Sequence, residues 1–359
     1  MVFYPCYTNT KRLKMLVAFE LSGEHDTLPK AEVLACLNAL SIIYEAKMFL
    51  NGILVIDAQI RPETIAVLSN RLGMTHRIYE VKGMSEPKGD EILAMVKNAD
   101  IYNFMEKGST FAVRVLKNSS YLEKKALIEQ VGAHIKGRGY KVNLSNPSNT
   151  FVLPLTEQTC FFFLLLHSTD KKRYEARKPQ FRPFFSPGVI LPKVARALVN
   201  LSGIKENELF LDPFCGTGGL LIEAGMIGAR VVGVDVQEQM VRGTKENLRF
   251  YGLHGDLIVG DASKTAFRDN SIDAIATDMP YGRSSLIAQS GLAPSLERLS
   301  PDTLDEIQRL LKPGGKAVIV SKSPYSRSRK HNFRVLEEHT SRVHKSLNRY
   351  ITVLKKPFF

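Results

Sequence analysis

Residues 208–229 read ELFLDPFCGTGGLLIEAGMIGA, and this stretch decides the fold. The apolar run Leu209-Phe210-Leu211 is the signature of a short buried strand. Asp212-Pro213 stops it. The turn Phe214-Cys215-Gly216-Thr217-Gly218-Gly219 follows, and a helical pattern opens at Leu220. Glycines in such a turn let another molecule approach the backbone closely. The N–H groups at the start of the next helix can face electron-rich ligand atoms. Strand, glycine loop and helix together open a Rossmann-type nucleotide site. The spacing Gly-x-Gly-Gly lacks the third glycine of the dinucleotide fingerprint, and Asp212 precedes the loop. A carboxylate there repels pyrophosphate and suits a ligand bearing an ammonium or a sulfonium.

Downstream, strands and helices alternate. Strands are expected at 230–235, 257–262, 272–278 and 316–321, with a closing pair at 342–347 and 350–354. This predicts an α/β domain with a doubly wound, Rossmann-like sheet, whose ligand sits at the carboxyl ends of the strands. Four acids fall at such ends: Asp212, Asp235, Asp261 and Asp278. Asp235 lies at about the spacing of a carboxylate that accepts from ribose hydroxyls. Asp261 is placed to accept from an adenine amine.

Two strings of this domain's strand ends carry a resemblance. DPFCGTGG resembles the first motif of S-adenosylmethionine (SAM) dependent nucleic-acid N-methyltransferases. Asp278-Met279-Pro280-Tyr281 resembles their (Asp/Asn)-Pro-Pro-Tyr motif, with Met279 where the first proline is usual. The chemistry explains the residue types. An exocyclic amine delocalises its lone pair into the ring and attacks poorly. A carboxylate and a main-chain carbonyl that accept its two N–H bonds free that lone pair. Pro280 fixes the backbone, and Tyr281 offers a stacking face to an extruded base. The resemblance implies Asp278, Pro280 and Tyr281 as catalytic residues. It implies a SAM site walled by Phe185, Ser186, Asp212, Phe214, Gly216, Thr217, Gly218, Asp235, Val236, Asp261, Ala262 and Asp278, with no metal.

The charge is unevenly spread. The net charge is +13. Residues 101–200 carry 16 Lys and Arg against 6 Asp and Glu, and residues 301–359 carry 13 against 5. Residues 201–300 carry 9 against 13. Clustered cations are the footprint of phosphate-backbone binding, though a solvated basic surface gives the same count. Residues 110–167 read strand, helix, then three strands. With the string VNLSNPSNTFVLPL they resemble a THUMP domain, an RNA-binding module of tRNA-modifying enzymes. Residues 168–185, STDKKRYEARKPQFRPFF, read as an exposed basic linker able to touch RNA. Lys136, Arg138, Lys141, Asn146, Arg177, Lys178, Arg182 and Arg283 are the candidate RNA contacts. RPFFSPGVILPKVARALVNL resembles the segment upstream of the SAM loop in tRNA guanine-N2 methyltransferases.

Taken together, the chain resembles the archaeal tRNA guanosine-10 N2-methyltransferases over most of residues 60–359. That implies an N-terminal α+β THUMP-containing region before a class I methyltransferase domain. Expected boundaries are 1–60 for a ferredoxin-like subdomain, 61–167 for THUMP, 168–185 for the linker and 186–359 for the methyltransferase. The guanosine-6 enzymes share this architecture. A DNA amino-methyltransferase and a tRNA-binding protein with a lapsed enzyme domain are the other readings. tRNA is the expected partner of a monomer, and some relatives use a small zinc-binding activator, which nothing here demands or excludes. No run of about 18 apolar residues spans a membrane. The N-terminal stretch shows no signal-peptide pattern. Four scattered cysteines argue against a disulfide framework or structural zinc, so a cytoplasmic setting is expected.

Overall fold

The computed structural model describes residues 13–116, 124–279, 301–325, 332–344 and 347–358. The first stretch holds β1 (Leu13–Leu21), α1 (Leu28–Ala39), β2 (Tyr44–Leu50), β3 (Ile53–Ile60) and α2 (Pro62–Arg71). Next come β4 (Thr75–Ser85), α3 (Gly89–Asn98), β5 (Thr110–Val115), α4 (Lys124–Gly137), β6 (Lys141–Val142), β7 (Asn149–Leu153) and β8 (Cys160–Ser168). Then follow α5 (Lys172–Glu175), α6 (Pro192–Leu201), β9 (Leu209–Asp212), α7 (Gly219–Gly225), β10 (Arg230–Asp235), α8 (Glu238–Phe250) and β11 (Gly255–Val259). The chain closes with β12 (Ile272–Asp278), α9 (Pro301–Leu310), β13 (Leu311–Ser321), β14 (Arg334–His344) and β15 (Leu347–Lys355).

These elements form two compact units, and the division is not sequential. One gathers Met1–Ser22, Ile42–Asn70 and Thr75–Thr169; the other gathers Gly23–Ser41, Arg71–Met74 and Asp170–Phe359. No division falls at 60, and the first unit ends at Thr169, two residues past the expected boundary at 167. β1 pairs with β3 on one side and β4 on the other, so residues on both sides of position 60 share one sheet.

That sheet runs β2-β3-β1-β4-β8-β7-β5-β6. It is antiparallel except where β5 pairs with β6 and β7. β8 shows why its sequence, CFFFLLL, is apolar without alternation. Cys160, Phe162 and Leu164 join the core beneath α3 and α4, with Ile92, Val96, Leu127, Val131 and Ile135. Phe161 and Phe163 point the other way, onto Ala18, Val55 and Tyr79. Successive side chains of a strand face opposite sides, and here both are buried. β2 carries no such signal. It stands at the end of the sheet with mostly exposed residues, and the sequence reading passed over it.

The second unit has a seven-stranded sheet, β11-β10-β9-β12-β13-β15-β14. β9 to β13 pair in parallel, and β15 runs antiparallel between β13 and β14. From β9 the chain steps outward to β10 and β11, then returns to β12 on the other side. The switch therefore lies between β9 and β12, where an open α/β sheet holds its ligand. Phe210, Val318 and Val320 face the layer of α6, α7 and α8, while Leu211, Ala317 and Ile319 face α9. Leu28, Ala31 and Ala35 of α1 lie in the first of these layers, so a helix from the N-terminal forty residues builds this core. β14 begins at Arg334, eight residues before the expected closing strand, because its start is polar.

Candidate active site

The glycine loop is built by backbone bonds that its sequence permits. Cys215 N donates to Val234 O at 2.9 Å, and Gly218 N donates to Cys215 O at 2.7 Å. Gly216 and Gly218 adopt φ of +49° and +79°, where a side chain is strained. A Cβ on Gly218 would lie 2.8 Å from Thr244 Cγ2, so the loop sits directly on α8. A Cβ on Gly216 would meet nothing nearer than 4.0 Å, so the loop is open on that side.

Two residues of α8 hold the loop, and sequence reasoning missed both. Thr244 Oγ1 donates to Gly216 O at 2.6 Å. Asn247 Nδ2 donates to Thr217 O and to Phe184 O at 2.9 Å, and Asn247 Oδ1 accepts from Phe184 N at 2.9 Å. One buried amide thus fastens the Arg182–Phe185 segment to the glycine loop. The available signal was Thr and Asn, three residues apart on the apolar side of an otherwise charged helix. Phe184 lies over Gly243, where a Cβ would come within 2.0 Å of its ring. Phe185 and Val236 are exposed, Ser186 and Phe214 half-buried, and Thr217 and Ala262 buried.

The acids converge as expected, with one exception. Asp212 is buried and its Oδ1 accepts from Thr277 Oγ1 at 2.8 Å and from Phe214 N at 3.1 Å. Burial pushes its carboxyl up to about 7, and the nearby charges of Asp235 and Asp278 push the same way. The pairing of β9 with β10 on one side and β12 on the other sets Asp212, Asp235 and Asp278 at the carboxyl ends of three neighbouring parallel strands. Asp235 accepts from Gly216 N at 3.0 Å and Gln237 N at 2.9 Å, while burial raises its pKa. Asp261 is the exception. β11 ends at Val259, and Asp261 lies in the following turn, exposed, accepting from Ser263 N and Oγ at 2.8 Å.

Asp278 ends β12, one strand from the glycine loop's own β9. Its Oδ2 lies 3.4 Å from Arg349 Nη2, an ion pair. Met279 clarifies the departure from the usual proline. Its side chain is buried among Leu211, Ile275 and Ile307, and its N–H donates to Val320 O at 3.0 Å. A proline has no N–H to give that bond. The backbone next to Asp278 is held by ladder and packing instead of by a ring. Pro280, Tyr281 and Arg283 lie outside the described residues.

A glycine cradle open on one side, with acids around it, fits a ligand that joins a nucleoside to an ammonium and a sulfonium. The comparisons agree. The model of the RMKL-like, methyltransferase domain family matches residues 179–351. The tRNA (guanine(10)-N2)-dimethyltransferase of Methanothermobacter thermautotrophicus is 35% identical over 342 residues, covering 94% of this chain and 98% of that protein. The chain belongs to the family of archaeal tRNA (guanine(10)-N2)-dimethyltransferases. Solved structures agree on the fold of this family member. TrmN from Thermus thermophilus matches with a TM-score of 0.53 at 19% identity, over 95% of this chain and 99% of that one. SMU.472, solved in complex with SAH, matches with a TM-score of 0.50 at 18% identity, over 96% and 98%.

Within this dimethyltransferase-family chain, the expected RNA contacts divide. Lys136, Lys141 and Asn146 are exposed. Asn146 shapes its loop, its N–H donating to Asn143 Oδ1 at 2.9 Å. Arg138 caps α3 instead, donating to Ala99 O at 2.9 Å and Lys97 O at 2.5 Å. Lys178 pairs with Glu175 at 2.5 Å. Arg177 and Arg182 are corrections, since both are buried. Arg177 forms a two-pronged bond to Glu223, from Nε at 2.8 Å and Nη2 at 3.0 Å. Arg182 Nε donates to Arg177 O at 3.1 Å. The cations of residues 168–185 therefore divide: Lys171 and Lys172 are exposed, while Arg177 and Arg182 are buried. Tyr174 is buried too, and the segment packs against α6 and α7 because α7 supplies the carboxylate its cations need.

Proposed function

We propose that the methyl group of SAM is delivered at the rim between β9 and β12 to the exocyclic N2 amine of guanosine-10 in tRNA, giving N2-methyl- and then N2,N2-dimethylguanosine. The observation that carries this reading is the position of Asp278, one strand from the glycine loop and within electrostatic reach of Asp212. SAM bound there supplies a methyl on a positively charged sulfur.

The chain's own groups do the rest. Gly216 and Gly218 let the loop backbone come close to the ligand. Asp235 is placed for the ribose, and ionised Asp212 suits an ammonium. Asp278 accepts one N–H of the guanine amine, and the main-chain carbonyl of Met279 accepts the other. Both bonds draw the nitrogen towards tetrahedral geometry and free its lone pair for in-line attack. Most of the acceleration is then positioning. Tyr281 is proposed to stack on the extruded base, with Pro280 setting the turn.

The first unit is proposed to be the RNA-binding region, with Lys136 and Lys141 among its phosphate contacts. Cytoplasmic location and a monomeric state belong to the same reading. No helix among the described residues is long and apolar enough to cross a membrane. A small zinc-binding activator would find an edge at β11, which ends its sheet and exposes Ile258 and Val259.

The test is methylation of unmodified tRNA and of the same tRNA with guanosine-10 replaced by adenosine. Mass spectrometry of the nucleosides should find N2-methylated guanosine only in the first. Equal N2-methylation in both would move the target to another guanosine.

A further inference from the structure

We infer that Arg349 is a positioning residue for Asp278, and that it matters most for the second methyl transfer; this rests on the N2-dimethylation reading above. The sheet register brings the two together. Asp278 lies opposite Val320, Val320 opposite Ile351, and Ser321 opposite Tyr350. β15 is antiparallel to β13, so its early residues reach the rim where the parallel strands end. Arg349 arrives there one residue before Tyr350. Its Nη2 lies 3.4 Å from Asp278 Oδ2 and donates to Gly188 O at 2.9 Å. Both charged side chains are largely withdrawn from water, at 16% and 21% exposure.

Gly188 lies in the Ser186-Pro187-Gly188 turn with φ +84°, just after the Phe184 that Asn247 ties to the glycine loop. Arg349 therefore joins the acid to the segment beside the cofactor loop. A planar guanidinium can hold two partners in fixed directions; an ammonium is a single point of charge.

The chemistry makes the two transfers unequal. In each, the amine lone pair forms the new N–C bond while the S–C bond breaks, its electron pair remaining on sulfur as a neutral thioether. The nitrogen then gives up a proton to the Asp278 carboxylate and onward to water. Before the first transfer the amine has two N–H bonds, one for Asp278 and one for the Met279 carbonyl. Afterwards it has one. The direction of the lone pair then depends on a single acceptor, and a carboxylate free to rotate no longer sets it.

The experiment compares wild type, Arg349→Lys and Arg349→Gln on unmodified tRNA. It follows both products over time, with SAM affinity by calorimetry and thermal midpoints alongside. Arg349→Gln should lower the first transfer about tenfold and the second about a hundredfold, so N2-methylguanosine accumulates. Arg349→Lys should lie between. SAM affinity and the KM for tRNA should stay within about twofold, the pattern of an interaction that serves the transition state. Equal loss in both steps, or an unchanged product ratio, overturns the inference. So does a fall in SAM affinity and thermal midpoint that accompanies the loss of rate, which marks a structural part. A wild-type protein that makes no N2-methylguanosine overturns the underlying reading instead.

Discussion

Two basic stretches of this chain, 136–146 and 171–182, look alike in sequence, but two arginines of the second end in surroundings opposite to the lysines of the first. Lys136 and Lys141 stand in water on the first unit. Arg177, Arg182 and the later Arg196 are buried in the second. For Arg177 and Arg196 the difference is made by one residue on another element. Glu223, fully buried on α7, receives Arg177 on one side and Arg196 at 2.8–3.0 Å on the other. Tyr174 completes the group, with the Arg177 and Arg196 guanidinium groups 4.8 and 5.9 Å from its ring centre. Glu32 of α1 is buried nearby and satisfied by Gly73 N, Met74 N and Asn200 Nδ2, each at 2.8 Å. Positive charge in a sequence thus has two uses, and only the partner tells them apart.

The largest expected effect lies with the buried set. Glu223→Ala leaves two guanidinium groups in the interior without their carboxylate. It should destabilise the protein by about 3–5 kcal/mol, as breaking a buried pair does. Chemical denaturation read by circular dichroism checks this. A loss under about 1 kcal/mol, in the range of an exposed pair, would erase the contrast between the two stretches.

Next comes Asp212, whose burial holds the carboxyl at about 7 in the folded chain. In the unfolded chain it titrates near 3.9. Between these values the folded state keeps a proton that the unfolded state has lost. The contribution of this group to stability therefore falls as pH rises from about 4 to about 7. Ionised Asp212 suits a cationic ligand, so SAM affinity should rise through pH 7, by no more than about tenfold per pH unit for one proton. Asp212→Asn should flatten that profile in calorimetry. A variant with the wild-type slope would assign the slope to another group.

The smallest effect belongs to the exposed cations. Lys136→Ala with Lys141→Ala should weaken tRNA binding several-fold and lower the slope of log affinity against log salt by about one to two. Thermal stability should stay unchanged. Filter binding across a salt series checks both, and an unchanged slope would remove these lysines from the RNA surface.

The same contrast explains what was legible in the sequence. The second unit's sheet could be read because β9, β10, β12 and β13 are apolar runs ending in acids or turns. Asp212, Asp235 and Asp278 fell into place with them. β2 and the start of β14 could not be read, because edge strands facing water carry no apolar period. Thr244 and Asn247 were hidden because a polar residue that bonds a distant backbone looks like a solvated one. Arg177 was misread because its carboxylate partner, Glu223, is 46 residues away in sequence, and Arg182 because its burial leaves no mark in the local sequence. The membership of α1 in the second unit was hidden because its partners, Met74 and Ile204 among them, are distant in sequence. Nor does the sequence show that Met279, where the first proline is usual, is held by the bond of its N–H to Val320 O.

Methyl transfer at this rim depends most on Asp278. The direct measurement is single-turnover methyl transfer from SAM to unmodified tRNA by wild type and by Asp278→Ala, with nucleosides resolved by mass spectrometry and SAM binding measured on both. Wild type should give N2-methylated guanosine, and the variant a rate at least about a hundredfold lower with SAM affinity retained. A variant as fast as wild type, or a methyl group found on adenine N6, would contradict it.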